Sequence, residues 1–319
     1  MTTCTRVAIV RTTPATVYAD YARLLQLVGI QHAFNSRGST VLNIAKQRHF
    51  PFPGTNTPPW QLESVAALLQ QHNHHQLFAP HHPRAQLRIF RGDDLDGYRP
   101  ILNTYQITEH DGDFFNDTEW HHGLRVPTNL VQMHPLSLRP YTTRSRRSRL
   151  WMSRDNDTQL IDYMHEQRAQ CTNILTVLDG TSIQATDTVE IKNILLASTD
   201  LIAPYVIAAM VWGAESPQDV PYIRMACEQG LGVGDDKHIT LVGDITDKAH
   251  LKQQIGRKNN IAMQKALSLF DNYYRWTSRE RRIFESWLYH TAWGQLFQEY
   301  QKRGVLYEPS TLSPDVVPT

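Results

Sequence analysis

Cys4, Cys171 and Cys227 are the only cysteines in 319 residues, widely spaced and odd in number. They build neither a disulfide framework nor a cysteine-only zinc or iron–sulfur site, and a reducing compartment suits them best. Charge of one sign is also missing. Lys and Arg total 32 against 31 for Asp and Glu, so the bulk balance demands neither nucleic acid nor an anionic membrane. No apolar run reaches the length of a bilayer span, and the start, "MTTCTRVAIVRTTP", lacks a basic region followed by a long apolar segment. These absences predict a soluble cytoplasmic protein with no membrane partner. A Gly-x-Ser-x-Gly elbow, a phosphate loop of the GxxxxGK type and a Cys-His nucleophile pattern are absent as well.

What remains is ordinary globular material, 41% hydrophobic and 20% charged. "RVAIV" reads as a strand. A Thr-Pro start then leads into an amphipathic helix with Val17, Tyr18, Tyr21, Leu24 and Leu25 on one side, ended by Gly29. "STVLNIAK" is strand-like. After the loop "FPFPGTNTPP", Thr57 is placed to cap a helix from Pro58 whose Leu62, Val65, Ala66 and Leu69 form a buried stripe. "AQLRIF", "RVPTNLV", "NILTVLD", "IKNILLAS" and "HITLVG" read as further strands. Helices are expected near 155–170, over "LIAPYVIAAMVWG" and near 220–229. Alternating strands and helices predict an α/β fold, with a largely parallel or mixed sheet, helices on both faces and a C-terminal helical extension. The expected division is an α/β domain over 1–245, a helical segment over 246–305 packed on it, and a flexible tail over 306–319. Phe284, Trp287, Leu288, Ala292 and Leu296 fall near helical spacing, which suits a cap on the sheet or an oligomer contact.

"EQGLGVGDDK" (228–237) has the composition of a phosphate loop but the wrong order. Its helix precedes the glycines and its strand follows, so Gly230 reads as a left-handed helix end and the rest as a corner. A ligand role stays open, because loops at strand ends of α/β sheets bind ligands.

The segments "LDGT" (178–181) and "ILLASTDLIAPYVIAAMVWGAESPQDVPYIRMACEQGLGVGDDKHITLVGD" (194–244) resemble the signature half of the domain-of-unknown-function 362 family. That pattern has an Asp-Gly-Thr, a Ser-Thr-Asp ahead of a helix and a Gly-Leu-Gly turn. "TVLNIAKQRHFPFPGTNTPPWQLESVAALL" is similar to the same family's upstream loop and helix. The resemblance implies a cytosolic α/β protein and names no substrate. The chain departs from the pattern where Tyr205 replaces an aspartate, and where "VQMHPLSLRPYTTRSRRSR" lacks the family's lysines and keeps His134.

Four groups of residues could carry chemistry. Lys46, Arg48, Thr57, Trp60 and Gln61 surround an expected helix start, where free N–H groups attract anions. Asp179 and Asp200 each end a strand, and in a parallel sheet both would enter one crevice as acid and base or as ligands of a divalent cation. His121, His122 and His134 are the best-placed of fifteen histidines for a metal. Arg144, Arg146 and Arg147 belong to a run of six arginines between 139 and 154, which reads as a solvated loop, a lid over an anionic substrate or, least well, a nucleic-acid contact. The combined expectation is an enzyme of small-molecule, natural-product-like metabolism acting on an anionic or carboxylate-bearing substrate. Asp179, Asp200 and His134 would be catalytic, and the chemistry metal-assisted or redox in kind. The rival is a ligand-binding or scaffold protein that has lost its reactive residues.

Overall fold

The computed structural model describes residues 4–46, 51–81, 86–87, 90–91, 96–111, 128–137, 156–184, 188–254 and 277–307. Its strands are β1 (Thr5–Arg11), β2 (Thr40–Ile44), β3 (Leu77–His81), β4 (Gln86–Leu87), β5 (Phe90–Arg91), β6 (Thr108–Asp111), β7 (Asn129–Pro135), β8 (Asn173–Gln184), β9 (Val189–Ser198) and β10 (Ile239–Gly243). Eight of them form one mixed sheet in the order β10-β1-β9-β8-β7-β2-β3-β6, while β4 and β5 pair apart as a short antiparallel ribbon.

Seven strands of the large sheet run the same way and β9 alone runs against both neighbours. A parallel partner would need a crossover of a dozen or more residues. The apolar run "NILTVLD" suggests room for one, but β8 continues to Gln184 and only four residues separate it from β9. A hairpin is the remaining solution.

Helices α1 (Val17–Leu27), α2 (Ile30–Ala33), α3 (Pro59–Gln71), α4 (Tyr98–Thr104), α5 (Asn156–Gln170), α6 (Ala203–Val211), α7 (Pro221–Glu228), α8 (Lys248–Gln254), α9 (Ser278–His290) and α10 (Ala292–Arg303) complete the α/β fold. One core joins α1, α3, α4, α9 and α10 to one sheet face; a second joins α6, α7 and α8 to the other, with Tyr163 of α5 packed beside it on Val41 and Leu130. Helix α1 buries Val17, Tyr21, Leu24 and Leu25, the face its spacing predicts. In α3 burial extends well beyond one stripe, from Pro59 through Leu69, because the sheet lies beneath it and α10 contributes Trp293 and Tyr300 against Trp60. No helix among the described residues is long and apolar enough to cross a membrane.

The C-terminal helix pair buries Trp287, Trp293, Phe297 and Tyr300 in the chain's own core, and a Thr277–Glu280 capping box starts α9. The pair is anchored from below by Glu63 of α3, which is 0% exposed. Its carboxylate accepts from Leu306 N at 3.0 Å and Tyr307 N at 2.7 Å. Burial raises its pKa despite those bonds. Glu63→Ala leaves two backbone donors unpaired, so an unfolding loss of about 2 kcal/mol is expected, together with faster proteolysis after residue 277. Equal protease half-lives for variant and parent would exclude the latch.

Candidate functional site

Asp179 lies inside β8, opposite Pro135 of β7 and Leu195 of β9, on the sheet face covered by α1 and α3. Its side chain is 2% exposed and is met by four donors. Oδ2 accepts from Tyr21 Oη at 2.7 Å and Trp60 Nε1 at 2.9 Å. Oδ1 accepts from Thr181 N at 2.9 Å and Thr181 Oγ1 at 2.5 Å. A carboxylate has about four acceptor directions, and all are used within the chain. Burial nonetheless lifts its pKa, outweighing the hydrogen bonds that favour the charged form.

A buried ion pair stands close by. Lys46, just past β2, holds its Nζ 2.9 Å from Asp96 Oδ2, with side-chain exposures of 0% and 2%. Asn56 Nδ2 donates to Asp96 Oδ1 at 3.1 Å, and the Lys46 ammonium sits 5.6 Å from the centre of the Tyr98 ring. Asp96, Asn56, Asp179, Thr181, Ser182 and Trp287 share a cavity of about 30 Å³, room for one water molecule.

The other expected members of this site have different work. Pro58, with no side-chain cap, occupies the N-cap of α3. Thr57 spends its hydroxyl between two strands, accepting from Ala45 N at 2.9 Å and donating to Met133 O at 2.5 Å. Gln61 Nε2 donates to Val177 O at 3.1 Å. Lys46 is balanced by Asp96, so these residues form an internal framework, and the expected anion site at the α3 start is corrected accordingly. Arg48, Arg144, Arg146, Arg147, His121 and His122 lie outside the described residues.

Asp200 is also corrected. Because β9 is antiparallel, the residues after it emerge at the amino edge of the parallel strands, while Asp179 sits toward their carboxyl edge. Five residues along a strand separate Asp200 from Leu195, the partner of Asp179, a distance of roughly 15 Å. The Asp200 carboxylate caps α6, taking Ile202 N and Ala203 N at 2.8 Å each. It also accepts from Val233 N at 3.1 Å. That last bond explains the glycine-rich stretch. Gly230 ends α7 at φ +69°, and a Cβ on Gly232 would lie 2.5 Å from Asp200 Oδ1, so only glycine lets the corner dock.

His134 departs in a third direction. It alternates with Met133 along β7 and faces α6, on the opposite side of the sheet from Asp179. Its Nδ1 lies 2.5 Å from Tyr205 Oη. Burial pushes the imidazole pKa down to about 3, which keeps it neutral. The three residues expected to act together thus occupy three places, and among the described residues no group of three His, Cys, Asp or Glu side chains could hold a metal ion.

At the amino edge Asp200 meets two arginines that no sequence motif marks. There a polar cavity of about 530 Å³ is bordered by Arg6, Arg168, Cys4, Cys171, Thr172 and Asp200. Arg168 Nη1 donates to Leu231 O at 2.8 Å. Neither arginine has a carboxylate partner among the described residues, and the charge of Asp200 is taken up by backbone N–H groups. Burial pushes the Cys171 thiol up to about 12, so it is no nucleophile at neutral pH. Neither arginine belongs to a motif; they are recognisable only once β9 is known to reverse. Comparison of the chain with protein-family models, curated proteins and solved structures returned no match.

Proposed function

We propose that the protein binds a small anionic molecule, carboxylate- or phosphate-bearing, in the amino-edge cavity between Arg6 and Arg168. The observation that carries this reading is the pairing of about 530 Å³ of polar space with two guanidinium groups that lack carboxylate partners among the described residues. That volume falls in the range of small-molecule sites, and guanidinium forks match carboxylate and phosphate oxygens in pairs. The substrate class is the one the sequence suggested, moved to the other edge of the sheet. Binding without turnover fits the lining best, since Cys171 stays protonated and Asp200 is committed to backbone donors.

A second reading, acid–base catalysis at Asp179, is favoured by the burial that raises its proton affinity beside a second buried carboxylate, Asp96. It requires a donor such as Trp60 to yield its place to substrate.

Calorimetric titration with inorganic phosphate and with succinate separates the two. Arg6→Ala is expected to weaken binding about tenfold, a loss of about 1.4 kcal/mol, and the affinity should fall with added salt. Asp179→Asn, if folded, should leave it unchanged. Undiminished binding in the Arg6→Ala, Arg168→Ala double variant would remove the proposed site.

A further inference from the structure

On the sheet face opposite Asp179, β2, β7, β8 and β9 place Asn43, Gln132, Thr176 and Ser198 in one register row. All four are 2% exposed or less. Gln167 of α5, 0% exposed, reaches the row from above, accepting from Gln132 Nε2 through its Oε1 at 2.8 Å. Ser198 is satisfied by Arg6 O at 2.7 Å. The others are not. Asn43 Nδ2 and Oδ1, Thr176 Oγ1 and Gln167 Nε2 are buried with no hydrogen-bond partner among the described residues.

Buried polar atoms are nearly always paired, and each exception carries an uncompensated desolvation penalty. Valine in place of Thr176 and leucine in place of Asn43 would fill the same layer beside Val41, Leu130 and Tyr163 at no such cost. Four orphan atoms on two strands of one row, flanking Gln132, and on the helix above it therefore read as an unfilled hydrogen-bonding set. Its composition defines the guest. Two amide N–H₂ groups donate, one amide oxygen accepts, and one hydroxyl does either. No side chain of the row is ionisable, so an ion entering it would lose its hydration without a counter-charge.

We propose that this row is a second binding site, separate from the amino-edge cavity, for a small uncharged molecule that both donates and accepts hydrogen bonds, of the primary carboxamide class. A carboxamide guest offers Asn43 the reciprocal N–H and C=O pair that one amide presents to another. Its remaining N–H reaches Thr176 Oγ1, and its oxygen takes a second bond from Gln167 Nε2.

Acetamide is the minimal probe and acetate its isosteric charged control. In the full-length protein, side-chain amide signals of Asn43 and Gln167 are expected to shift saturably with acetamide and to ignore acetate. Thr176→Val should weaken the response at least fivefold. Asn43→Leu should abolish it while raising the melting temperature, and if Asn43→Leu does not fold, the near-isosteric Thr176→Val carries the test. A crystal soaked in acetamide should show the guest bonded to Asn43. Water molecules alone at the row with no acetamide response, or an equal response to acetate, would overturn the assignment.

Discussion

Asp96→Asn is expected to lower the unfolding free energy by about 3–5 kcal/mol, the usual cost of removing one member of a fully buried ion pair. The reason is asymmetry. Lys46 and Asp96 are 0% and 2% exposed, and the amide leaves the Lys46 ammonium 2.9 Å from a neutral oxygen or an opposing N–H₂ group, with no carboxylate to balance its charge. The face of Tyr98, 5.6 Å away, compensates only in part, since a cation–π contact contributes about 2 kcal/mol at best. The double variant Lys46→Met, Asp96→Leu removes both charges and should recover most of the loss, because well-packed apolar replacements of buried pairs are often neutral. Urea denaturation of the two single variants and the double variant checks this. If the singles lose under 1 kcal/mol, or if their losses simply add in the double, the pair is solvated in solution and the carboxyl-edge cluster is looser than described.

Periodicity made the layers legible and left the direction of one strand hidden. Val17, Tyr21, Leu24 and Leu25 on α1 and the run 203–211 on α6 announced buried faces, and those faces are where the cores form. The direction of β9 could not be read this way. Gly180 and Thr181 look like the end of a strand, yet β8 passes through them with a bulge between Gly180 and Ser182 and consumes the link to β9. That single feature separates Asp200 from Asp179 and opens the amino edge, where Arg6 and Arg168 stand in no recognisable motif. His134 was expected to act beside Asp179, but sequence spacing does not say which face of the sheet a residue takes until the register is known. Thr57 shows a similar limit. Its type suits a helix cap, and its hydroxyl is drawn instead to the open backbone groups at the ends of β2 and β7.

His134 should make stability fall on acidification through the range just below the free imidazole pKa. Its imidazole is 0% exposed and faces Tyr205, with Tyr222 beyond it in edge contact and no carboxylate among those rings. Burial moves its pKa from 6.5 to about 3. Between those values the unfolded chain binds a proton that the folded chain refuses, so stability rises with pH and is lost as pH falls through the unfolded value. The slope approaches about 1.4 kcal/mol per pH unit, roughly 4 kcal/mol by about pH 3.5. His74, also lowered by burial, acts in the same sense. Asp179 and Glu63 act oppositely, since their raised pKa values make the folded chain the better proton acceptor. Their contribution is common to parent and variant and cancels when the two are compared, so the range from about pH 6.5 to 5, just below the free imidazole value, isolates His134. His134→Asn keeps a hydrogen-bonding atom near Nδ1 and cannot titrate, so melting curves across that window should flatten for the variant. An unchanged slope would mean that His134 is protonated, and hence hydrated, in the folded protein, and that the α6 face opens to solvent.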